Sequence, residues 1–182
     1  MPHRFFLLCA ILLMAFDQPK LVKTKVADGM TVMIPEEWRP MDDLDFSQRY
    51  PSVRAPLAAF TNQERTVDFS INISATQWRQ GDEAVAQKFF KASVQNMFDR
   101  VEMLHEGVAD IKGRKYIFFE FESRVNGSRD DEAIRSPILK YSYVQYLIAP
   151  GRTLVFSFNA PARERETWQG TAQTMMKSIR IK

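Results

Sequence analysis

The stretch that most constrains the fold runs from Ile138 to Asn159, where two segments rich in Tyr, Val, Ile and Phe flank the pair Pro150-Gly151. Such residues around a Pro-Gly pair predict a strand–turn–strand unit. The first segment is apolar on both faces of the expected strand, with Leu139, Tyr141, Tyr143 and Leu147 on one face and Val144, Tyr146 and Ile148 on the other. Because a strand of this kind must be covered on both sides, we expect this hairpin at the centre of a layered sheet.

The other segments predict strands that extend this sheet and two helices that cover it. Strands are expected at 21–26, 30–34, 57–60, 67–74, 101–111 and 116–121, with a closing edge strand over 178–182. The first helix begins at Gly81-Asp82-Glu83 with Asp82 as its N-cap, and the second begins near Pro161. Their apolar stripes at helical spacing are Ala86, Phe90, Val94 and Met97 or Phe98 in the first helix and Trp168, Ala172 and Met175 or Met176 in the second.

Three further expectations concern the region before the first long helix. Trp38 is expected to plug the end of the core rather than to bind a ligand, since its ring buries a large apolar area. Residues 41–56 lack periodicity and predict an ordered surface loop. The strand over 67–74 alternates strictly, which turns its polar residues to a face that is wet or lines a polar groove: Asp68, Ser70, Asn72 and Ser74.

The N-terminus has the pattern of an export signal. Arg4 precedes an uncharged run from Phe5 to Phe16, which is too short for a helix that crosses a bilayer, a span of about 20 residues. We therefore predict a cleaved signal peptide over residues 1–16, a single domain over 17–182 and a periplasmic or secreted location. An uncleaved membrane anchor and a buried N-terminal helix remain alternatives, and contact with a membrane is expected only through such an uncleaved N-terminus, if at all. Cys9 is the only cysteine, so cleavage leaves a mature chain without thiol chemistry.

The net charge and its distribution argue against nucleic-acid binding and decide little else. The chain carries 25 Lys and Arg against 22 Asp and Glu, a net charge of +3, with both signs interspersed. A nucleic-acid-binding domain normally shows a dense basic block or stripe, and the sequence has none.

The order of motifs resembles the PsbP/DcrB-type group, which includes the photosystem-associated PsbP, bacterial DcrB lipoproteins and Ran-binding Mog proteins. The motifs are a short strand running into Met33-Ile-Pro-Glu-Glu-Trp38, a helix that begins Asp82-Glu-Ala84, a meander of long strands and a terminal helix that ends Met176-Lys-Ser-Ile-Arg-Ile181. The resemblance spans roughly Val26 to Lys182. It implies an α+β fold, a Mog/PsbP-like α/β/α sandwich in which a central antiparallel sheet has helices on both faces, and binding or assembly roles without a shared catalytic motif.

The residues predict no catalytic, cofactor or metal site. The acids Asp42, Asp43 and Asp45 lack the glycine-hinged order of a calcium loop, and a solvated acidic loop is the preferred interpretation. Zinc would have only His105, which is interpreted as a surface imidazole. Glu120 and Glu122 share a strand face as a catalytic carboxylate pair does, but cross-strand pairing with Lys or Arg is favoured.

Surface loops are then the best candidates for function, because binding residues concentrate in loops on rigid scaffolds. Arg49, Tyr50 and Arg54 in the first long loop and Asp130 and Asp131 in the second are predicted to contact a protein partner, against the alternative that these loops merely connect. The sequence thus predicts an exported bacterial binding or assembly protein of the cell envelope, not an enzyme. The alternative is a small-ligand or metal-binding protein, or an enzyme, that uses the polar face of the strand at 67–74.

Overall fold

The structure is a computed structural model that describes residues 19–49, 55–126 and 136–182. It contains three helices, α1 (Asp43–Arg49), α2 (Glu83–Met97) and α3 (Arg165–Ser178). The strands, in chain order, are β1 (Leu21–Ala27), β2 (Met30–Pro35), β3 (Arg39–Pro40), β4 (Ala58–Thr61), β5 (Asp68–Ile73), β6 (Arg100–Ile111), β7 (Arg114–Val125), β8 (Ile138–Ala149), β9 (Arg152–Pro161) and β10 (Arg180–Ile181).

Two antiparallel sheets organise these elements. The larger has seven strands in the order β3-β4-β5-β9-β8-β7-β6, and the smaller has the order β1-β2-β10. The segments at 21–26, 30–34 and 178–182 do form strands. The prediction that they extend the main sheet is wrong, because they pair with one another as a separate sheet.

The β8–β9 hairpin lies at the middle of the larger sheet, as its sequence predicts. Ala149 pairs with Arg152, so Pro150 and Gly151 alone make the turn. Gly151 has a φ of 74°, a left-handed conformation that glycine adopts without steric cost. The ring of Pro150 fixes its own φ at the first central position of the turn.

The larger sheet has a packed core on each face, because β8 and its neighbours are apolar on both sides. One face packs against α2 through Ala86, Phe90 and Val94, which meet Ile117, Phe119, Phe121 and Ile148. The opposite face packs against α3 and the smaller sheet. Its core includes Tyr141, Tyr143, Leu147, Phe156, Phe158, Ala172, Met175, Met176, Val32 and Ile34. Helices therefore cover both faces of a central antiparallel sheet, which confirms the predicted fold class.

Trp38 plugs the second core, as predicted. Its ring is buried, stacks on Phe158 with centroids 5.9 Å apart and lies 5.7 Å from the ring of Trp168. A large indole in this position closes the end of the layer between the larger sheet and α3.

Three local predictions need correction. Leu139 is 53% exposed rather than buried with Tyr141, since β8 extends past the helices that cover its middle. Residues 43–49 of the expected loop form α1. Pro161 is the last residue of β9, and a 3-10 turn over Ala162–Glu164 intervenes before α3.

Asp82 occupies the N-cap position of α2 as predicted, but its carboxylate does not cap the helix. Its Oδ2 atom accepts a hydrogen bond from the backbone N–H of Arg79, at 3.3 Å, on the side of the preceding turn.

Candidate functional site

A groove of about 560 Å³ opens at one end of the larger sheet, beside α1. Polar side chains from three adjacent strands, an aromatic ring and the end of α1 line it: Gln48, Arg65, Thr66, Asp68, Phe98, Ile138, Leu139, Lys140, Ser142, Asn159, Ala160 and Pro161. Ser142 lies beside Phe121 in the register of β7 and β8, so the polar wall belongs to the sheet face that α2 partly covers.

Three polar side chains form the floor of the groove. Asp68, Asn159 and Ser142 are partners in register across β5, β9 and β8, and therefore project side by side. The Ser142 hydroxyl donates to Oδ1 of Asn159, and the Asn159 amide donates to Oδ1 of Asp68, both at 2.9 Å. Asp68 and Ser70 are buried. The groove interpretation of the polar face of β5 is thus confirmed at Asp68, and the solvent-exposed interpretation is wrong there.

The rim of the groove is apolar. Ile138 and Leu139 open β8 and have 44% and 53% of their surface exposed. Aliphatic side chains exposed beside a hydrogen-bonded polar floor combine the two kinds of contact that protein interfaces use, a desolvated apolar part and polar groups that set orientation.

The predicted partner-binding residues belong to segments that adjoin this groove in the chain. Arg49 is the last residue of α1 and follows Gln48, which lines the groove. Tyr50, Arg54, Asp130 and Asp131 lie outside the described residues, so their role stays a prediction.

A second polar site, which sequence reasoning missed, surrounds the carboxylate of Glu120. Glu120 lies on β7 and is 1% exposed. Its Oε1 atom accepts hydrogen bonds from the Tyr141 hydroxyl at 2.8 Å and from the Gln169 amide at 2.7 Å. Gln173 donates to Oε2 at 3.2 Å, and Nδ1 of His105 lies 3.1 Å from the same oxygen. The carboxylate therefore has partners from β6, β8 and α3.

The predicted pairing of Glu120 and Glu122 with Lys or Arg across the strands is wrong. The described partners of Glu120 are two amides, a phenol and an imidazole. Glu122 pairs instead with Arg165 of α3, at 2.9 Å. Sequence spacing could place both carboxylates on one face, but it could not show that α3 lies over that face.

A β-bulge brings His105 to Glu120. The register of β6 and β7 runs from Met103 opposite Phe121 to His105 opposite Glu120, which leaves Leu104 as the extra residue. In a regular ladder His105 would face α2 instead, because side chains alternate. Bulges re-aim side chains and are frequent beside functional sites.

In this second site a buried carboxylate holds an exposed imidazole. The side chain of His105 is 62% exposed and that of Glu120 is almost wholly buried, so the carboxylate orients an imidazole that faces solvent. Among the described residues, no hydroxyl or thiol is hydrogen-bonded to that imidazole. Burial raises the pKa of the Tyr141 phenol, and its hydrogen bond to Glu120 raises it further, so Tyr141 stays a neutral donor. Burial and the charge of Glu120 likewise raise the pKa of Tyr143 to about 12.

The acids at 42–45 serve the fold at the start of α1. Asp42 Oδ1 accepts from the Asp45 amide at 2.9 Å and Asp45 Oδ2 accepts from the Asp42 amide at 3.1 Å, a reciprocal capping arrangement. Arg39 Nη1 and Arg65 Nε lie 2.8 and 3.4 Å from the Asp45 carboxylate. Burial by itself raises the pKa of Asp45, but the hydrogen bonds from Arg39 and Asp42 and the charges of both arginines hold it below its ordinary value.

Two features are absent from the described part of the chain. Over 19–49, 55–126 and 136–182, no three His, Cys, Asp or Glu side chains converge as a metal site requires. Within the same ranges, no helix combines the length and the apolar character that crossing a bilayer demands.

A central antiparallel sheet between α2 on one face and α3 with a small sheet on the other defines the class as the PsbP/Mog1-like α/β/α sandwich. Three solved structures share this fold with the chain. The cyanobacterial PsbP, CyanoP, from Synechocystis sp. superposes with a TM-score of 0.61 at 14% identity, over 90% of this chain and 93% of CyanoP. The Ran-binding protein Mog1p of Saccharomyces cerevisiae superposes with a TM-score of 0.55 at 11% identity, over 88% and 96%.

LpqN of Mycobacterium tuberculosis, which is described as involved in cell envelope biogenesis, has a TM-score of 0.55 at 14% identity, over 88% of this chain and 91% of LpqN. No family model and no curated protein matches the sequence. At these identities the likeness establishes the fold, which the resemblance in the sequence implied.

Proposed function

We propose that the chain is an exported, non-enzymatic binding or assembly protein of the bacterial cell envelope, and that it docks a protein partner in the groove beside α1. Residues 1–16 act as the export signal, residues 17–182 form one domain, and the location is periplasmic or secreted. Arg49, Tyr50, Arg54, Asp130 and Asp131 contact the partner from the segments next to Gln48 and Ile138 in the sequence.

The observation that carries this proposal is the exposure of Ile138 and Leu139 at the rim of a groove with a buried polar floor. The polar groups of the floor, Ser142, Asn159 and Asp68, are joined to one another by hydrogen bonds. A floor of this kind fixes the shape of the groove and leaves the aliphatic rim to be covered. Folds of this class in Mog1p and LpqN, which are described as Ran-binding and as involved in cell envelope biogenesis, support the binding role and the envelope location respectively.

Site-specific photo-crosslinking tests the docking site. A photoreactive phenylalanine analogue at Ile138, which shares the strand face of Ser142, is expected to form a discrete adduct with another protein when the chain is expressed in a bacterial envelope. The same analogue at Val85, an exposed residue of α2 that does not line the groove, serves as the matched control and should give none. Adducts of equal yield at both positions, or none at Ile138, would reject the groove as the docking site.

The signal peptide has its own test, since it can fail while the groove remains correct. The intact mass of the protein isolated from its native host should lack residues 1–16. Retention of these residues would favour the uncleaved anchor.

A small polar ligand is the second candidate occupant, because Asp68 lies in the groove. Such a ligand would exchange hydrogen bonds with Asp68 and Asn159, so Asp68→Asn should abolish any thermal stabilisation by a bound metabolite. A metabolite screen in which no compound raises the melting temperature, together with a positive crosslink at Ile138, would leave the protein partner as the occupant.

A further inference from the structure

Several Lys and Arg side chains meet on the outer face of the smaller sheet, although acids and bases are interspersed along the sequence. Met30, Val32 and Ile34 of β2 face the core, so Thr31 and Met33 face outward. Lys25 and Arg180 are the register partners of Thr31 on β1 and β10, and both are exposed. Adjacent strands are about 4.8 Å apart, so the Cα atoms of these two cations lie about 10 Å apart across Thr31.

Two more cations complete this basic face. Lys23 is the register partner of Met33 and is exposed, and the backbone N–H of Lys182 donates to the carbonyl of Gly29, beside the β1–β2 turn. The four cations line a shallow depression of about 440 Å³ together with uncharged residues only: Gly29, Met30, Thr31 and Ile181.

The immediate surroundings do not neutralise this face. Asp28 is the acid nearest in the chain; its carboxylate pairs with Lys25 at 3.1 Å, and both side chains are highly exposed, so the pair is weak. Nη1 of Arg180 donates to the carbonyls of Lys177 and Ile179, at 3.1 and 2.7 Å, which fixes the position of the guanidinium. Thr31 lies between Lys25 and Arg180 in the register of the three strands and faces outward with them.

We propose that this basic face binds the phosphate groups of an anionic phospholipid bilayer. A planar array of cations on three strands fits an extended anionic surface, and each Lys or Arg near such a surface contributes a similar increment of binding energy. The basic face lies on the smaller sheet and the groove on the larger one, so neither proposal depends on the other.

Vesicle co-sedimentation of the full chain tests the proposal. One set of vesicles contains phosphatidylcholine alone and the other contains equal parts of phosphatidylcholine and phosphatidylglycerol. Insertion of residues 5–16 would occur in both sets, so the difference between them isolates the charge-dependent part. We expect binding to the anionic set that high salt weakens, because salt screens exposed charges.

The variant Lys23→Gln with Lys25→Gln should reduce partitioning onto the anionic vesicles by about 20- to 30-fold, about fivefold for each lysine. The matched control removes the same charge elsewhere, with Lys88→Gln on α2 and Lys115→Gln on β7, both exposed. It should change partitioning by less than about threefold, since screening limits the effect of distant charges. Lys182→Gln, expected to lower partitioning about fivefold, provides an independent variant if the first fails to fold.

Equal losses in the two double variants would overturn the proposal, because net charge alone would then explain the binding. Equal binding to both vesicle sets would also overturn it. Displacement from the vesicles by inorganic phosphate at a matched phosphate concentration would show a site for free phosphate and reject the bilayer as the ligand. Tighter binding to a DNA duplex than to the anionic vesicles would reject it in favour of nucleic acid.

Discussion

The Nδ1 atom of His105 lies 3.1 Å from Oε2 of Glu120, although regular alternation along β6 would put the two side chains on opposite faces of the sheet. The bulge at Leu104 removes that alternation at one point. As a result, a largely exposed ring on the edge strand of the larger sheet contacts a carboxylate that is buried beneath α3.

The first prediction concerns the hydrogen bond between Glu120 and Tyr141. Tyr141→Phe should lower the free energy of unfolding by about 1.5–3 kcal/mol, because the hydroxyl bonds to a buried carboxylate. In a Glu120→Leu background, removal of the same hydroxyl should cost nothing or stabilise, since the phenol has already lost its acceptor. Chemical denaturation of the four chains measures this coupling.

His105→Gln provides the control for that cycle. The side chain of His105 is 62% exposed, so its loss should cost less than about 1 kcal/mol. A cost equal to that of Tyr141→Phe would show that the imidazole, and not the phenol, stabilises the buried carboxylate.

A second prediction uses the bulge. Deletion of Leu104 should leave a folded protein, because His105 would then follow Met103 in a regular ladder and both halves of β6 would keep their partners. The expected cost is the lost packing of one partly buried leucine, at most about 1.5–3 kcal/mol.

The matched control is deletion of Val108, which lies in the regular part of β6. That deletion moves the rest of the strand by one residue and turns each side chain to the wrong face, so it should cost far more. Circular dichroism melting curves compare the two chains. Unfolding of the Leu104 deletion to the same extent as the control contradicts the prediction.

A third prediction concerns acid stability. The pKa of Asp45 is lower in the folded chain than its ordinary value of 3.8, so the ionised carboxylate favours the folded state. This contribution is fully present above that value and is lost as the pH falls through the lower, folded pKa. Asp45→Asn should therefore destabilise the protein by about 2 kcal/mol near neutral pH, and its difference from wild type should shrink below pH 3.8.

Asp43→Asn is the control for Asp45, since Asp43 is an exposed acid in the same helical turn. Its effect on the free energy of unfolding should be within about 0.5 kcal/mol. A pH profile for Asp45→Asn that stays parallel to wild type down to pH 2 would contradict the role of the ion pairs with Arg39 and Arg65.

A fourth prediction concerns the turn between β6 and β7. Lys112 and Gly113 both have positive φ, 55° and 77°, the conformation of a two-residue hairpin turn that favours Asn-Gly. Lys112→Asn should raise the free energy of unfolding by about 0.5–1 kcal/mol, because asparagine tolerates the left-handed region better than lysine. Gly113→Ala should lower it, and thermal melting of both variants should show shifts of opposite sign.

The sequence predicts the layered arrangement because the central strands have apolar residues on both faces. Tyr141 and Tyr143 meet one core and Tyr146 and Ile148 meet the other, as alternation requires. The buried faces of α2 and α3 are also predicted from the sequence, because apolar residues on those faces recur at helical spacing.

The parts that sequence reasoning missed depend on contacts between distant residues. Nothing local marks Leu104 as an extra residue, and without the bulge His105 is assigned to the wrong face. The buried carboxylate of Asp45 pairs with Arg65, which lies in the turn between β4 and β5. This contact joins α1 to a segment that is distant in the sequence. A pattern of acids without such partners looks like a solvated loop.

The pairing of β10 with β2 joins residues 180–181 to residues 30–31, across some of the longest sequence separations in the described chain. The smaller sheet is therefore incomplete until everything between those positions has been synthesised, and contacts of such separation form slowly. If the chain is exported as proposed, a layer that closes only when position 181 meets position 30 would delay compaction during transit. The same pairing would then make the basic face, to which β1 and β10 both contribute, a property of the finished protein alone.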